Sequence, residues 1–334
     1  MDLSLIWAII IFFAVLFYVL MDGFDLGIGL LFPFVPQKED RDTMMNTVAP
    51  VWDGNETWLV LGGAGLMAAF PLAYSVLLSA LYLPLIFMLL GLIFRGVAFE
   101  FRFKARYRER ELWDVAFIGG SLVAAFFQGV SLGVYILGIP LTDGNYTGSA
   151  MAWLAPFPLL TGVAVVLGYA LLGCTWLIMK TEGGLYARML RMAGPLLGGL
   201  LLITIVAFLG LLFWAPTVAS HWFSLPTLLW LAPVPTLGAL CMIFLLRALG
   251  RQPTAVPFIC ALGLVILAHF GLTICIWPNI IPPTISIWQA AAPASSQRFT
   301  LVGAALIMPM ILVYTGWAYY VFRGKVKRGA EGYH

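Results

Sequence analysis

The stretch that decides the fold is residues 3–32, LSLIWAIIIFFAVLFYVLMDGFDLGIGLLF, which is apolar almost throughout. A helix needs about 20 predominantly apolar residues to cross the hydrocarbon core of a bilayer, and this stretch is long enough. It contains two carboxylates, Asp22 and Asp25, and it lacks the basic start and small-residue cleavage site of a secretory signal peptide. We therefore expect it to remain in the protein as the first membrane span.

The rest of the chain has the same apolar character. Of its 334 residues, 62% are hydrophobic and 10% are charged, with a formal net charge of +3, whereas about 25% of residues are charged in typical soluble domains. A water-soluble fold of this composition would expose large apolar patches. The composition excludes a soluble enzyme, a nucleic-acid-binding domain and a disordered chain. The four cysteines stand in apolar runs without C-x-x-C spacing, so we interpret them as small buried residues.

Nine apolar stretches follow one another along the chain, separated by segments rich in Pro, Gly, Asn and charge. They predict an all-α integral membrane protein, a single polytopic domain over residues 1–334, with sequential helices as antiparallel neighbours. A faint similarity between the segments that begin at Tyr18 and Tyr169 suggests two parallel four-helix bundles plus one peripheral helix, and chance explains it equally well. The predicted spans are residues 3–32, 49–70, 75–99, 114–137, 153–179, 194–214, 225–246, 255–277 and 299–322.

Lysines and arginines indicate the orientation, because the cytoplasmic side of a membrane protein collects them. With nine spans and the N-terminus outside, all of these cations except Arg298 fall at the cytoplasmic side, and the C-terminus is cytoplasmic. A shift by one span would scramble this separation. We interpret the basic loops as topology signals rather than as lipid-binding sites.

Three pairs of glycines spaced as G-x-x-x-G predict helix faces that approach closely. Such faces hold a bundle together and name no function. The pairs are Gly23 and Gly27, Gly129 and Gly133, and Gly194 and Gly198.

Carboxylates within the spans are the candidates for function, since a charged residue near the centre of a membrane helix costs about 2.5–3.5 kcal/mol. Asp22 and Asp25 share a face of the first span, and Asp53 and Glu56 share a face of the second. Glu100 ends the third span. In the predicted orientation all five carboxylates lie at one depth in the cytoplasmic half.

Two interpretations of these carboxylates stay open. Neighbouring carboxylates in a low dielectric cannot all ionise, so the group can share protons and act as a relay through bound water. Alternatively the residues form a structural network, in which the helix dipole stabilises Asp53 and Glu56 and Arg95 neutralises Asp25 or Glu100. A proton-coupled secondary transporter would also use intramembrane carboxylates, whereas a purely structural scaffold would use none for transport.

The histidines limit the cofactors that this chain can hold alone. A b-type haem needs axial ligands, typically one or two histidines, and of His221, His269 and His334 only His269 lies at membrane depth. We interpret His269 as a satisfied intramembrane histidine rather than as a ligand. The sequence predicts no metal cluster, and it contains no phosphate-binding loop and no nucleophile with its base. Trp58 lies deeper than the interfacial tryptophans, where it either lines a path for a small apolar molecule or simply packs.

Several motifs resemble those of one family. The segments Asp22-Gly-Phe-Asp-Leu-Gly-Ile-Gly29 and Ala49-Pro-Val-Trp-Asp-Gly-Asn-Glu-Thr-Trp58 are similar to subunit II of the cytochrome bd-type quinol oxidases. Residues 93–102, 295–301 and 314–320 extend the resemblance over essentially the whole chain. The compact outside segments resemble the shorter members, some of which are called cyanide-insensitive oxidases. Gln289 stands where some members have an acidic residue, so a carboxylate role at that position is lost.

The resemblance implies a membrane complex that oxidises quinol, reduces oxygen to water and takes protons from the cytoplasm, thereby forming a proton gradient. It places the b- and d-type haems and the quinol site in subunit I, so this chain is not catalytic alone. It sets Trp58 beside a path for oxygen or at an interface. The residues that it assigns to a cytoplasmic proton pathway are Asp25, Asp53 and Glu100, with Asp22 and Glu56 ranked lower.

The partners and the location also follow from the resemblance. They are the haem-bearing subunit I, quinol and membrane lipids in the bacterial inner membrane, with no nucleic acid. Some members add a small single-span subunit, and some hold a structural quinone in subunit II.

Overall fold

A computed structural model describes residues 2–106, 108–251, 254–327 and 329. Arg328 and His334, which entered the predictions on topology and histidines, lie outside the described residues. The helices are α1 (Leu3–Leu31), α2 (Lys38–Asn46), α3 (Trp52–Ala69), α4 (Pro71–Arg102), α5 (Arg110–Leu137), α6 (Pro156–Lys180), α7 (Gly183–Trp214), α8 (Pro216–Trp222), α9 (Leu225–Leu231), α10 (Pro233–Leu249), α11 (Val256–Ile276) and α12 (Ala294–Val321). The strands β1 (Leu141–Thr142) and β2 (Asn145–Tyr146), and β3 (Asn279–Ile281) and β4 (Ile285–Ser286), form two antiparallel hairpins.

The helical membrane fold predicted from the sequence is confirmed. Within the described residues, 8 helical segments are long and apolar enough to cross a membrane. They are α1, α4, α5, α6, α7, the continuous pair α9–α10, α11, and α12. Helix α3 lies in the predicted span 49–70 but is not one of the eight. Its first turns carry Asp53, Asn55 and Glu56, which lower its hydropathy. Hydropathy and length therefore support eight of the nine predicted spans.

Three segments depart from the expected outline. Helix α7 begins at Gly183 rather than at Gly194, so the basic segment before Gly194 is helical and extends the span at one end. The predicted span 225–246 is divided between α9 and α10, because Pro233 has no backbone N–H to continue the helix. Helix α2 forms in a segment that the sequence analysis treated as a connection.

Helix α1 lies at the centre of the bundle, where it packs against α3, α5 and α6. At its crossing with α6 the two backbones touch, since a Cβ atom placed on Gly27 would lie 1.9 Å from the carbonyl oxygen of Tyr169. Only glycine fits there, so the predicted close packing at Gly27 is confirmed. The face of Gly194 and Gly198 does not pack within the chain, since a Cβ on either would meet no described atom within 4 Å. The close approach predicted there stays a prediction.

Contacts between distant segments define one end of the bundle, here called the Asp2 end. The indole Nε1 of Trp288 donates to a carboxylate oxygen of Asp2 at 2.8 Å. This hydrogen bond, followed by one from the backbone N–H of Leu5, lowers the pKa of Asp2. The backbone N–H of Ala292 donates to the carbonyl oxygen of Ala69 at 2.8 Å. The start of α1, the end of α3 and the segment before α12 therefore meet at this end.

The opposite end, here called the Lys180 end, gathers basic side chains. The Nζ of Lys180 donates to the carbonyl oxygen of Phe322 at 2.5 Å, so the end of α6 contacts the end of α12. Lys325 pairs with Glu182 at 3.2 Å. Arg188, in the first turns of α7, donates to a carbonyl oxygen just after α1. The ends of α1, α6 and α12 and the start of α7 thus share one side of the molecule.

Candidate proton-transfer site

The candidate site is a buried arginine that faces three carboxylates, here called the Arg95 cluster and defined as Arg95, Asp22, Asp25 and Glu56. The Nη1 of Arg95 lies 2.6 Å from Oδ1 of Asp22 and 2.9 Å from Oε1 of Glu56, and its Nη2 lies 3.6 Å from Oδ2 of Asp25. The side chains of Arg95 and both aspartates have 0% exposure, whereas that of Glu56 has 27%. The cluster therefore has one side that opens towards the surface.

Helix geometry brings these residues together. Asp22 and Asp25 are three residues apart and so lie on one face of α1, late in the helix and towards the Lys180 end. Arg95 stands late in α4, which places it at the same level. Beside it, α4 and α5 touch through Gly91 and Gly120, because a Cβ on Gly120 would lie 2.5 Å from the carbonyl oxygen of Gly91. This contact holds the α4 backbone that carries Arg95 against α5.

The charges of the Arg95 cluster do not balance. One guanidinium faces three carboxylates, so full ionisation would leave an excess of two negative charges in a largely buried site. An uncompensated buried charge is expensive. Oδ1 of Asp22 is paired with Nη1 of Arg95, whereas Oδ1 of Asp25 has no hydrogen-bond partner within the described part of the chain. Binding of protons by these carboxylates removes the excess charge, which is the chemistry that this arrangement can perform.

Two hydrogen-bonded polar side chains connect the Arg95 cluster to α12. Asn55, which is 1% exposed on α3, donates from Nδ2 to Oδ2 of Asp25 at 2.7 Å. The hydroxyl group of Tyr319 on α12 donates to Oδ1 of Asn55 at 2.9 Å. The sequence analysis did not select either residue. Asn55 stands between Asp53 and Glu56 in a quoted motif, but no spacing rule predicts its contact with a residue 264 positions later.

A separate hydrogen-bonded group of polar side chains lies one turn before Asp22 on α1. Gln128 on α5 donates from Nε2 to the hydroxyl oxygen of Tyr18 at 2.6 Å, and the hydroxyl group of Tyr169 on α6 donates to Oε1 of Gln128 at 2.7 Å. The faint sequence similarity had paired Tyr18 with Tyr169, and the two hydroxyl groups bind the same amide. Whether a duplication produced this pairing stays a prediction.

The structure places the predicted site residues in two groups. Asp22 and Glu56, which were ranked lower, join Asp25 in the Arg95 cluster. Asp53 is exposed in the first turn of α3. Glu100 is also exposed and lies 3.5 Å from Lys104. Of the two pairings proposed for Arg95, the one with Asp25 is present.

A second ionic cluster, which the sequence analysis missed, lies closer to the Lys180 end. It is called the Arg102 cluster and consists of Arg102, Asp114, Arg41 and Asp42. Arg41 pairs with Asp114 at 2.8 Å, Arg102 pairs with Asp42 at 2.5 Å, and the Nε of Arg102 also bonds to Asp114. The guanidinium groups of Arg41 and Arg102 lie 5.8 and 5.7 Å from the ring centroid of Phe32. The sequence predicted a topology role for these arginines from the positions of Lys and Arg, and their acidic partners, 12 to 73 positions away, were not predicted.

Trp58 and His269 do not belong to either ionic cluster. Trp58 is 1% exposed and packs against Phe17 with ring centroids 4.7 Å apart, which agrees with the packing interpretation. His269 on α11 packs against Phe12 at 4.6 Å. Its Nε2 has no partner among the described residues, so the expectation of a satisfied histidine was wrong at that atom. No group of three His, Cys, Asp or Glu side chains in the described ranges is arranged to hold a metal ion.

Comparison with known proteins agrees with this fold and these motifs. The family model for cytochrome bd terminal oxidase subunit II matches residues 3–322. The chain belongs to the family of cytochrome bd terminal oxidase subunit II. It is therefore a multi-pass protein of the bacterial inner membrane and works as one subunit of a terminal oxidase.

Individual relatives extend over nearly the full length. The chain is 28% identical to cytochrome bd-I ubiquinol oxidase subunit 2 of Escherichia coli strain K12, with 98% of this chain and 96% of the relative aligned. It is 29% identical to cytochrome bd ubiquinol oxidase subunit 2 of Bacillus subtilis, with 96% of each aligned. A chain in the solved structure of bd oxidase from Geobacillus thermodenitrificans has the same fold, with a TM-score of 0.77 at 18% identity over 96% of this chain and 99% of that chain.

Proposed function

We propose that the Arg95 cluster is part of a proton pathway that supplies oxygen reduction in an assembled bd-type quinol oxidase. Relatives are named ubiquinol oxidase subunits, and such a complex oxidises quinol, reduces oxygen to water and forms a proton gradient. The observation that carries the proposal is the charge imbalance of one buried guanidinium against three carboxylates. Family membership favours this role over that of a secondary transporter.

Protons enter the pathway through Glu56, the partly exposed member of the cluster. Glu56 is the one carboxylate of the four residues with an exposed fraction, so it exchanges protons with water at the surface. Asp53 is three residues earlier on the same helix face and precedes it on the surface. From Glu56 the proton passes through Asp22 to Asp25, whose Oδ1 has no hydrogen-bond partner among the described residues and receives it. Glu100, exposed near the end of α4, stays a predicted entrance.

The cytoplasmic side is the Lys180 end, and the chain crosses the membrane nine times with its N-terminus outside. Two observations support this orientation. Lysines and arginines collect at that end, as on the cytoplasmic side of most membrane proteins. Helix α3, although less apolar than the other eight, runs from the level of the Arg95 cluster to Ala69 at the Asp2 end. Its direction thus matches that of a ninth crossing.

Subunit I holds the haems and the quinol site, and this chain supports it as a scaffold. The described histidines do not fit a haem site, since His221 lies on the short helix α8 and His269 packs against Phe12 on another helix. We therefore route no step through a haem in this chain. Helix α12 lies at the edge, against α1 and α3, as expected for a peripheral helix outside two four-helix bundles. Lipids cover the remaining apolar faces, and a structural quinone or small subunit stays a prediction.

Asp25→Asn in the assembled complex tests the pathway, because asparagine keeps the shape and cannot carry the proton. We expect turnover of oxygen to fall at least tenfold while haem content stays normal, within the range for loss of a proton-transfer group. Asp143→Asn, in the turn between β1 and β2, is the matched control and should leave turnover unchanged. Unchanged turnover in the assembled Asp25→Asn complex would contradict the proposal.

A further inference from the structure

The two oxygens of the Asp25 carboxylate have different surroundings. Oδ2 accepts a hydrogen bond from Nδ2 of Asn55 at 2.7 Å and faces Nη2 of Arg95 at 3.6 Å. Oδ1 is buried and has no hydrogen-bond partner among the described residues. One oxygen is therefore held by fixed donors, and the other is free to bind a proton.

The side-chain amide of Asn55 has only one orientation that satisfies all its neighbours. Its Nδ2 faces two acceptors, the Asp25 carboxylate and the carbonyl oxygen of Met21 at 3.5 Å. Its Oδ1 accepts the hydrogen bond from the hydroxyl group of Tyr319 at 2.9 Å. A rotation of the amide by half a turn would set its carbonyl oxygen against the carboxylate. The carboxylate of Asp25 and the carbonyl group of Met21 can only accept, so they fix Nδ2 towards Asp25, and the Tyr319 hydroxyl group then donates to Oδ1.

Packing holds Tyr319 itself in place. Its ring makes edge contacts with Trp176, at a centroid distance of 6.3 Å, and with Phe24, at 6.5 Å. These contacts involve the ring and not the hydroxyl group. Removal of the hydroxyl oxygen alone therefore leaves the packing between α12, α1 and α6 intact.

We propose that Tyr319 is a positioning residue for Asp25 and acts through Asn55. Its hydroxyl group, bonded to Oδ1 of Asn55, holds the amide in place against Asp25, so that the amide donates to Oδ2 of Asp25 and leaves Oδ1 of Asp25 as the oxygen that binds and releases the proton. This inference rests on the proposed proton pathway. It assigns a role in the pathway to α12, which otherwise lies at the edge of the bundle.

The test compares Tyr319→Phe with Tyr320→Phe in the assembled oxidase, since Tyr320 is exposed on the same helix. Infrared difference spectra measure the frequency of the Asp25 carboxyl band, which would not change if Tyr319 had only a structural role. The carboxyl band of Asp25 is identified as the band that Asp25→Asn removes. We expect Tyr319→Phe to shift this band and to lower turnover by roughly fivefold, as for one lost net hydrogen bond, with haem content unchanged. Tyr320→Phe should change neither.

A double variant tests whether Tyr319 acts through Asn55. If it does, Tyr319→Phe adds no further loss of turnover to Asn55→Ser, because the amide that it orients is already gone. If Tyr319→Phe does not assemble, Asn55→Ser alone must shift the band, and an unshifted band overturns the inference. If Tyr319→Phe assembles with an unshifted band and normal turnover, the inference about Tyr319 is also wrong. In that case slow turnover in Asp25→Asn would still support the proton pathway. Normal turnover in Asp25→Asn removes the pathway itself.

Discussion

Arg95→Gln is predicted to destabilise the protein strongly. The guanidinium lies within 2.6–3.6 Å of three carboxylates and is itself 0% exposed. Its removal leaves those carboxylates with no buried cation, and removal of one partner from a buried ion pair costs about 3–5 kcal/mol. That energy corresponds to roughly two to three and a half powers of ten in a folding equilibrium.

The assay is the half-life of thermal inactivation of the purified complex, together with the amount of complex recovered from the membrane. The control is Lys104→Gln, because Lys104 forms an exposed pair with Glu100 at 3.5 Å, and exposed pairs contribute at most about 1 kcal/mol. The double variant Arg95→Gln with Asp22→Asn should be more stable than Arg95→Gln alone, since it carries one carboxylate fewer. If Arg95→Gln is as mild as Lys104→Gln, the charge imbalance that we infer is not present in the assembled protein.

Three further predictions concern other parts of the chain. Gly27→Ala should abolish assembly, because a Cβ there would lie 1.9 Å from a carbonyl oxygen of α6. The control Gly63→Ala, with no described atom within 4 Å of its Cβ, should assemble normally. Equal recovery of the two variants from the membrane would contradict this packing. Asp114→Leu should destabilise the complex by about 3–5 kcal/mol, since it leaves two arginines of the Arg102 cluster without their shared carboxylate. The control Glu111→Gln, in an exposed pair, should cost under about 1 kcal/mol. Similar rates of thermal inactivation for the two variants would refute the role given to the cluster. Gln128→Leu should cost about 1–3 kcal/mol by leaving a buried tyrosine hydroxyl group without its acceptor, and an unchanged inactivation rate would show that another acceptor replaces the amide.

The membrane fold could be predicted from the sequence because hydropathy is a local property. Each span is a continuous apolar run, and the positions of lysine and arginine indicate its direction. Helix α3 is the informative case. The polar residues that lower its hydropathy include Asn55 and Glu56, which take part in the candidate site, so the same side chains that weaken the span signal contribute to the site.

The candidate site could be predicted only in part. Spacing of three residues correctly placed Asp22 beside Asp25 on one helix face. Spacing could not rank Glu56 above Asp53, because two residues of one helix are distinguished by which of them faces Arg95 on α4. The contact of Tyr319 with Asn55 depends on how α12 packs against α3, and no local pattern contains that information.

The proton uptake of the assembled oxidase during a single turnover tests the central claim most directly. A pH-sensitive dye in the medium reports protons taken from the cytoplasmic side, and the haem spectrum reports electron transfer at the same time. The account predicts that Asp25→Asn and Glu56→Gln slow proton uptake at least tenfold, while the first electron transfer to oxygen keeps its rate. Proton uptake at the unsubstituted rate in both variants, with normal haem content, would contradict the claim that protons pass through these carboxylates.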